Sequence, residues 1–310
     1  MCAGGSGRRI GRSRAERRGR PRGGGRMPGT TRTTRTTVGF PGSGASRRAV
    51  RWALRDCAAR GRPLHVVLAR GAAAGPGDLE ALLADELLRV PGRGPEVDVT
   101  VTTGEPGPAL LSAAADSAAL VLGCGRRVAS VGAGTGRVLR VVLPRTPAPL
   151  VLVGPQAVLT APRRVLVVSS ADDAVAGWVL ERGGDLPVRL VTTWWPWSAA
   201  AAPGAAELRH ARSAAAAQHE AARSRLAAGR GPLRAEVVEG FPGEVVPQRL
   251  TVGDLVVVAS GTVAELPVRT LRAPVVLVPP GGRRPGPGEP GGTGRVVDLR
   301  EGSRPGPLRG

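Results

Sequence analysis

Residues 120–136 read LVLGCGRRVASVGAGTG, and this stretch decides the fold. Leu120–Leu122 is a short apolar run closed by Gly123, the pattern of a parallel strand buried on both faces. The chain then enters a loop carrying Gly123, Gly125, Gly132, Gly134 and Gly136, residues that tolerate close backbone approach. In open α/β sheets, ligands settle beyond the carboxyl ends of strands, where the winding reverses. The loop is therefore a candidate anion site.

Working outward, strands and helices alternate. Thr37–Phe40 predicts a strand and Ala45–Ala59 a helix with Ala49, Val50, Ala53, Leu54 and Cys57 on one stripe. Leu64–Leu68 predicts a second strand, followed by a helix over Leu79–Val90 with Asp78 as its N-cap. Val97–Val101, a helix over Pro108–Ala118, the strand Leu120–Leu122, a helix over Arg137–Leu143 and the strand Leu150–Val153 complete a β-α-β series. Such an order requires parallel strands with right-handed crossovers and helices on both faces.

The series then repeats. GEPGPALLSAAADSAALVLGC at residues 104–124 aligns without gaps to GFPGEVVPQRLTVGDLVVVAS at residues 240–260, an offset of 136. RWALRD, with Trp52, answers GWVLER, with Trp178, and PLVLVGP from Pro149 answers PVVLVPP from Pro274. Two copies of one unit follow. The expected fold class is α/β, two tandem Rossmann-like domains, each with a mainly five-stranded parallel sheet, spanning residues 37–156 and 163–280. The copies differ between their last two strands, where residues 124–148 contrast with the shorter 260–273. The second copy thus lacks most of the glycine-rich loop and the helix after it. This reading predicts two sheets rather than one continuous sheet, with a pocket kept only in the front copy.

Composition sets further bounds. Hydrophobic residues make up 42% of the 310-residue chain while aromatics make up 2%, so the core must be built of Ala, Val and Leu. Of the net charge of +20, residues 1–36 carry +10 and residues 281–310 carry +3. Both segments are read as disordered Arg/Gly-rich and Gly/Pro/Arg-rich tails, because they hold too few apolar residues to fold. Cys2, Cys57 and Cys124 have no metal-like spacing and read as reduced thiols. No apolar run approaches a bilayer span and no secretory leader is visible, so a cytoplasmic location is expected.

In its strand-one segment VGFPGSGASRRAVRWAL, its Gly-x-Pro before the third helix, its glycine loop and its closing APLVLV and APVVLV strands, the chain resembles the universal stress protein (UspA) family. The resemblance covers nearly all of residues 37–280. It implies a five-stranded parallel sheet per copy, and intramolecular pairing of the two copies or a homodimer through the last strand. Nucleotide-binding members carry G-x2-G-x9-G-[ST] after strand four and an acidic residue at the end of strand one. Gly123 and Gly136 keep that separation, with Gly125 beside the middle position. Arg126 replaces the middle glycine, Arg137 the hydroxyl residue and Pro41 the acid, followed by Gly42 and Ser43 as in the family. In the second copy Ser169 stands near the strand-one position. The resemblance implies a degenerate adenine-nucleotide site, with ATP in domain 1 alone. Two readings of its basic residues stay open: Arg126, Arg127, Arg137 and Arg140 hold phosphate through guanidinium groups, or the loop has drifted into a solvated basic face.

No catalytic constellation stands out. His65 reads as a satisfied structural histidine. His210 and His219, about 180° apart around one helix, cannot ligate one metal from it. Asp172 and Asp173 read as helix-start acids, and Trp194, Trp195 and Trp197 as packing between the copies. The expected function is a stress-protein-like binding or signalling module rather than an enzyme, with weak ATPase left open. The alternative is a nucleic-acid-associated protein working through the Arg-rich N-terminal arm.

Overall fold

The structure, a computed structural model, describes residues 35–70, 77–90, 94–125, 136–168, 172–183, 185–195, 204–229, 231–261, 266–280 and 295–296. In the front half, β1 (Arg35–Phe40), β2 (Leu64–Arg70), β3 (Val97–Thr103), β4 (Ser117–Gly123) and β5 (Leu150–Val153) alternate with α1 (Gly44–Arg60), α2 (Asp78–Leu88), α3 (Pro106–Ala114) and α4 (Arg137–Val142). In the rear half, β6 (Arg164–Val168), β7 (Val188–Trp194), β8 (Leu233–Glu239), β9 (Asp254–Ala259) and β10 (Val275–Val278) alternate with α5 (Asp173–Gly183), α6 (Ala205–Leu226) and α7 (Pro242–Arg249). A two-residue strand, β11 (Arg295–Val296), pairs antiparallel with β3. The sequence reading assigned no structure to this segment. β3 is the outer strand of its half, and its open backbone groups accept any extended partner. Apart from residues 35–36 and 295–296, the two tails read from composition lie outside the described residues.

The strand order is β11-β3-β2-β1-β4-β5-β10-β9-β6-β7-β8. Within each half every pairing between β1 and β5, or between β6 and β10, is parallel, as the β-α-β order demands. The expectation of two unjoined sheets is corrected: β5 and β10 hydrogen-bond antiparallel, with Val151 opposite Val276, and fuse the halves into one sheet. Both strands, LVLV and VVLV, are buried along their whole length. A fully apolar strand of this kind is a liability at an edge, and joining the two covers both.

The core lies in two slabs, one on each face of the sheet. Trp52, Phe40, Leu54, Val151, Val276, Trp178 and Leu255 belong to the slab under α1, α2, α5 and α6. Leu110, Leu122, Leu150, Leu277, Val256 and Val246 belong to the slab under α3, α4 and α7. Each slab runs through both halves. The segment joining the halves is held by α1: Arg48 donates to the carbonyls of Ala157 and, at 3.4 Å, Gly154, and Arg55 donates to that of Leu159.

Two element boundaries differ from the sequence reading for local reasons. Gly77, not Asp78, is the N-cap of α2; its φ of 96° is one that glycine adopts without strain. The third helix stops at Ala114 rather than Ala118, because β4 begins pairing with β1 at Ser117 and sheet hydrogen bonds take over the Ala-rich run. Trp194 and Trp195 do not pack between the halves. Trp194 ends β7 and the half-exposed Trp195 follows it, three strands from the β5–β10 seam, while Trp197 lies outside the described residues. Asp172 caps α5 by accepting from the Ala174 amide at 2.8 Å.

His65 sits in a polar chain crossing β1, β2 and β3. Its Nε2 lies 2.9 Å from Thr100 Oγ1 and its Nδ1 3.4 Å from Thr37 Oγ1, which in turn meets Ser117 Oγ at 2.6 Å. Burial, reinforced by Arg35, pushes the imidazole pKa down from 6.5 to about 4. The folded protein keeps His65 neutral where the unfolded chain protonates it. Stability is therefore full above pH 6.5 and falls as the pH drops from 6.5 toward 4, by about 3 kcal/mol at roughly 1.4 kcal/mol per unit. Urea unfolding of wild type and His65→Gln across this range should show a steeper acid loss in the wild type; parallel curves would contradict the assignment.

Candidate functional site

In the front half the winding reverses between β1 and β4, and the carboxyl ends of these strands open a cavity of about 340 Å³. Its floor is apolar: Phe40 from β1, Val67 and Ala69 from β2, Leu122 from β4 and Leu152 from β5. Leu110 of α3 and Val138 and Leu139 of α4 roof it, and Pro106 and Gly136 stand where those helices begin. The location is the one at which open α/β sheets hold ligands, since parallel strands diverge there and leave a crevice between neighbouring crossovers.

Polar groups are few. Ser43, the N-cap of α1, accepts from the Ser46 amide at 3.2 Å, and the Ser46 hydroxyl donates to the Ser43 carbonyl at 2.8 Å. Both serines border the cavity. Cys124 also lines it, but burial pushes its thiol pKa up to about 12, so it is a neutral thiol at physiological pH rather than a nucleophile.

Of the residues singled out from sequence, Pro41, Ser43, Gly123, Gly125 and Gly136 meet around this cavity. Their roles differ. A Cβ on Gly123 would stand 2.1 Å from the Ala45 carbonyl oxygen, so this glycine lets β4 end against the first turn of α1. A Cβ on Gly125 or Gly136 would meet nothing within 4 Å, leaving the backbone there open to approach. Gly42 does not line the cavity: at φ 79° it makes the turn into α1, and a Cβ on it would lie 2.6 Å from Leu79 Cδ2. Arg137 opens α4, but its guanidinium is engaged by Glu105, and the pair is exposed. Arg126, Arg127 and Ser169 lie outside the described residues. Sequence reasoning missed the apolar floor and roof. Its signal was available, because the last inward-facing residues of β1, β2 and β4 must line any crevice at a switch point.

The rear half is built differently at the equivalent place. The described residues between β9 and β10 include no α-helix matching α4, and Leu266, Val268 and Leu271 bury themselves in the core there. A second hollow, about 490 Å³, lies beside His219, Glu220 and Arg223 of α6 and the start of β8. It is not the counterpart of the front cavity, since it opens at the amino end of β8. Its polar groups are occupied: His219 bonds Thr192 at 2.9 Å and Glu220 pairs with Arg223 at 3.0 Å.

These observations define a duplicated, doubly wound α/β protein with a switch-point cavity in its front half. The same fold is found in universal stress proteins. A universal stress protein from Archaeoglobus fulgidus DSM 4304 superposes on 80% of this chain and 97% of its own with a TM-score of 0.51 at 14% identity. A putative universal stress protein from Pseudomonas aeruginosa UCBPP-PA14 gives 80%, 94%, 0.52 and 12%. A functionally unknown protein from Pseudomonas aeruginosa PAO1 gives 80%, 94%, 0.52 and 13%. No family model and no curated protein matches the chain.

The two glycines at the ends of the sequence pattern should separate under mutation. Gly123→Ala should cost about 2 kcal/mol in urea unfolding, because its methyl meets backbone, whereas Gly136→Ala should leave stability unchanged. Equal effects would contradict the packing role given to Gly123.

Proposed function

We propose that the chain is a tandem universal stress protein, with domains at residues 37–156 and 163–280, that acts as a binding or signalling module and holds one adenine nucleotide in its front half. The observation that carries this reading is the cavity between β1 and β4. Its volume of about 340 Å³ falls within the range of small-molecule sites, roughly 300–1,000 Å³, and suits a nucleoside body. Apolar walls from Phe40, Val67 and Leu122 suit a planar base, while the open backbone at Gly125 and Gly136 supplies polar contacts at the rim.

Binding rather than catalysis suits the same geometry. Among the described residues the polar side chains at the cavity are two serines committed to capping α1, beside a thiol that burial keeps protonated. A general base within hydrogen-bond reach is what acid–base chemistry would require. The restriction to one half rests on α4 and the glycines before it, which have no equivalent among the described residues of the rear half.

Isothermal titration with AMP and ATP, with and without Mg²⁺, tests the proposal. One nucleotide per chain is expected, and Gly136→Trp, whose indole would fill the open rim, should abolish binding with little change in the unliganded melting temperature. Absence of binding in the wild type, or two equivalents per chain, would overturn it.

A further inference from the structure

At the seam between the halves, β5 pairs with its own repeat equivalent, β10, and the central residues of the two strands face each other. PLVLVGP aligns with PVVLVPP at an offset of 125, which makes Val151 the equivalent of Val276, and these two are directly opposed. On either side the equivalents are exchanged, Leu150 opposing Leu277, the counterpart of Leu152, and Leu152 opposing Val275, the counterpart of Leu150. A local two-fold axis therefore passes between Val151 and Val276, as in an isologous dimer. Strands this alike and this apolar do not tell one copy from the other: two β5 strands, or two β10 strands, would match as well.

The helices above the seam do tell them apart. RWALRD of α1 aligns with GWVLER of α5, which makes Asp56 the equivalent of Arg182. The two meet across the axis, Arg182 Nη2 to Asp56 Oδ2 at 2.5 Å, with side chains 3% and 2% exposed. Arg60 completes the cluster from α1, donating to Asp56 at 2.9 Å and to the Arg182 carbonyl at 2.6 Å, and the Arg182 guanidinium stacks 5.6 Å from the Trp178 ring centre. A symmetric pairing of two rear halves would place guanidinium against guanidinium here, because α5 carries Arg182 where α1 carries Asp56. A pairing of two front halves would bury carboxylate against carboxylate.

We propose that the Asp56–Arg182 pair selects the partner of this face: it commits the front half to the rear half of a chain and rejects like-with-like association with a second copy. Buried ion pairs contribute little net stability compared with apolar packing, and their established use is to specify which partner and register are allowed. Like charges forced together at an interface cost enough to exclude the wrong partner. Burial lowers the Arg182 pKa, and the Asp56 carboxylate is the leading charge that opposes that shift.

The rear-with-rear contact is recreated inside the full chain by Asp56→Arg, which sets a second guanidinium against that of Arg182, with Arg60 and Arg62 nearby. The halves should separate, read as tryptic cleavage after Arg163 in the connecting segment, followed by mass spectrometry, rising about tenfold or more, with a larger hydrodynamic radius. The swapped double variant Asp56→Arg/Arg182→Asp restores opposite charges and should return both readouts toward wild type. A single variant as resistant as wild type, or a double variant as labile as the single one, would overturn the proposal, whether or not the single variant remains folded.

Discussion

The antiparallel pairing of β5 with β10 is the contact on which the rest of the molecule depends. Each strand is four buried aliphatic residues long and would end its own half as an unprotected apolar edge. Pairing them places both at the centre of one sheet and lets the core run unbroken through both halves on each face. It also brings α1 and α5 close enough for Asp56 and Arg182 to touch. The short connecting segment, clamped by Arg48 and Arg55, follows from that closeness.

Duplication gives the two halves the same winding, and the chain differs between them after the fourth strand of each. In the front half α4 stands off the sheet and leaves a crevice roofed by Val138 and Leu139. In the rear half the connection is shorter in sequence, and Leu266, Val268 and Leu271 pack into the core there. The Val268 carbonyl approaches Gly154 so closely that a Cβ there would lie 2.4 Å away.

Much of this architecture was legible from local pattern. The apolar runs bounded by glycine, the helical stripe of Ala49, Val50, Ala53, Leu54 and Cys57, and the offset of 136 between the two glycine-proline segments reflect forces acting within one turn or one strand. His65 was read as a structural residue, and its bonds to Thr100 and Thr37 make it one. The candidate site was legible only in part. Gly123 and Gly136 share one sequence pattern, yet one is pressed against the Ala45 carbonyl and the other is open. Gly42 serves a turn, Arg137 is taken by Glu105, and the apolar floor went unnoticed because its residues come from four separate strands.

By itself the sequence determined, within residues 37–280, which segments are strands and helices to within a few residues, that they are wound in parallel, that the unit occurs twice and that the second copy is shorter after its fourth strand. Those properties follow from side-chain period, turn chemistry and chain length, which are local. Only the tertiary structure decided that the two sheets are one, that the tryptophans of β7 lie away from the seam, which glycines face the cavity, and that Asp56 meets Arg182. Each of these depends on residues far apart in the chain, or on strands several places apart in the sheet, meeting in space, and pairwise contact at that range leaves no periodic trace in a single chain.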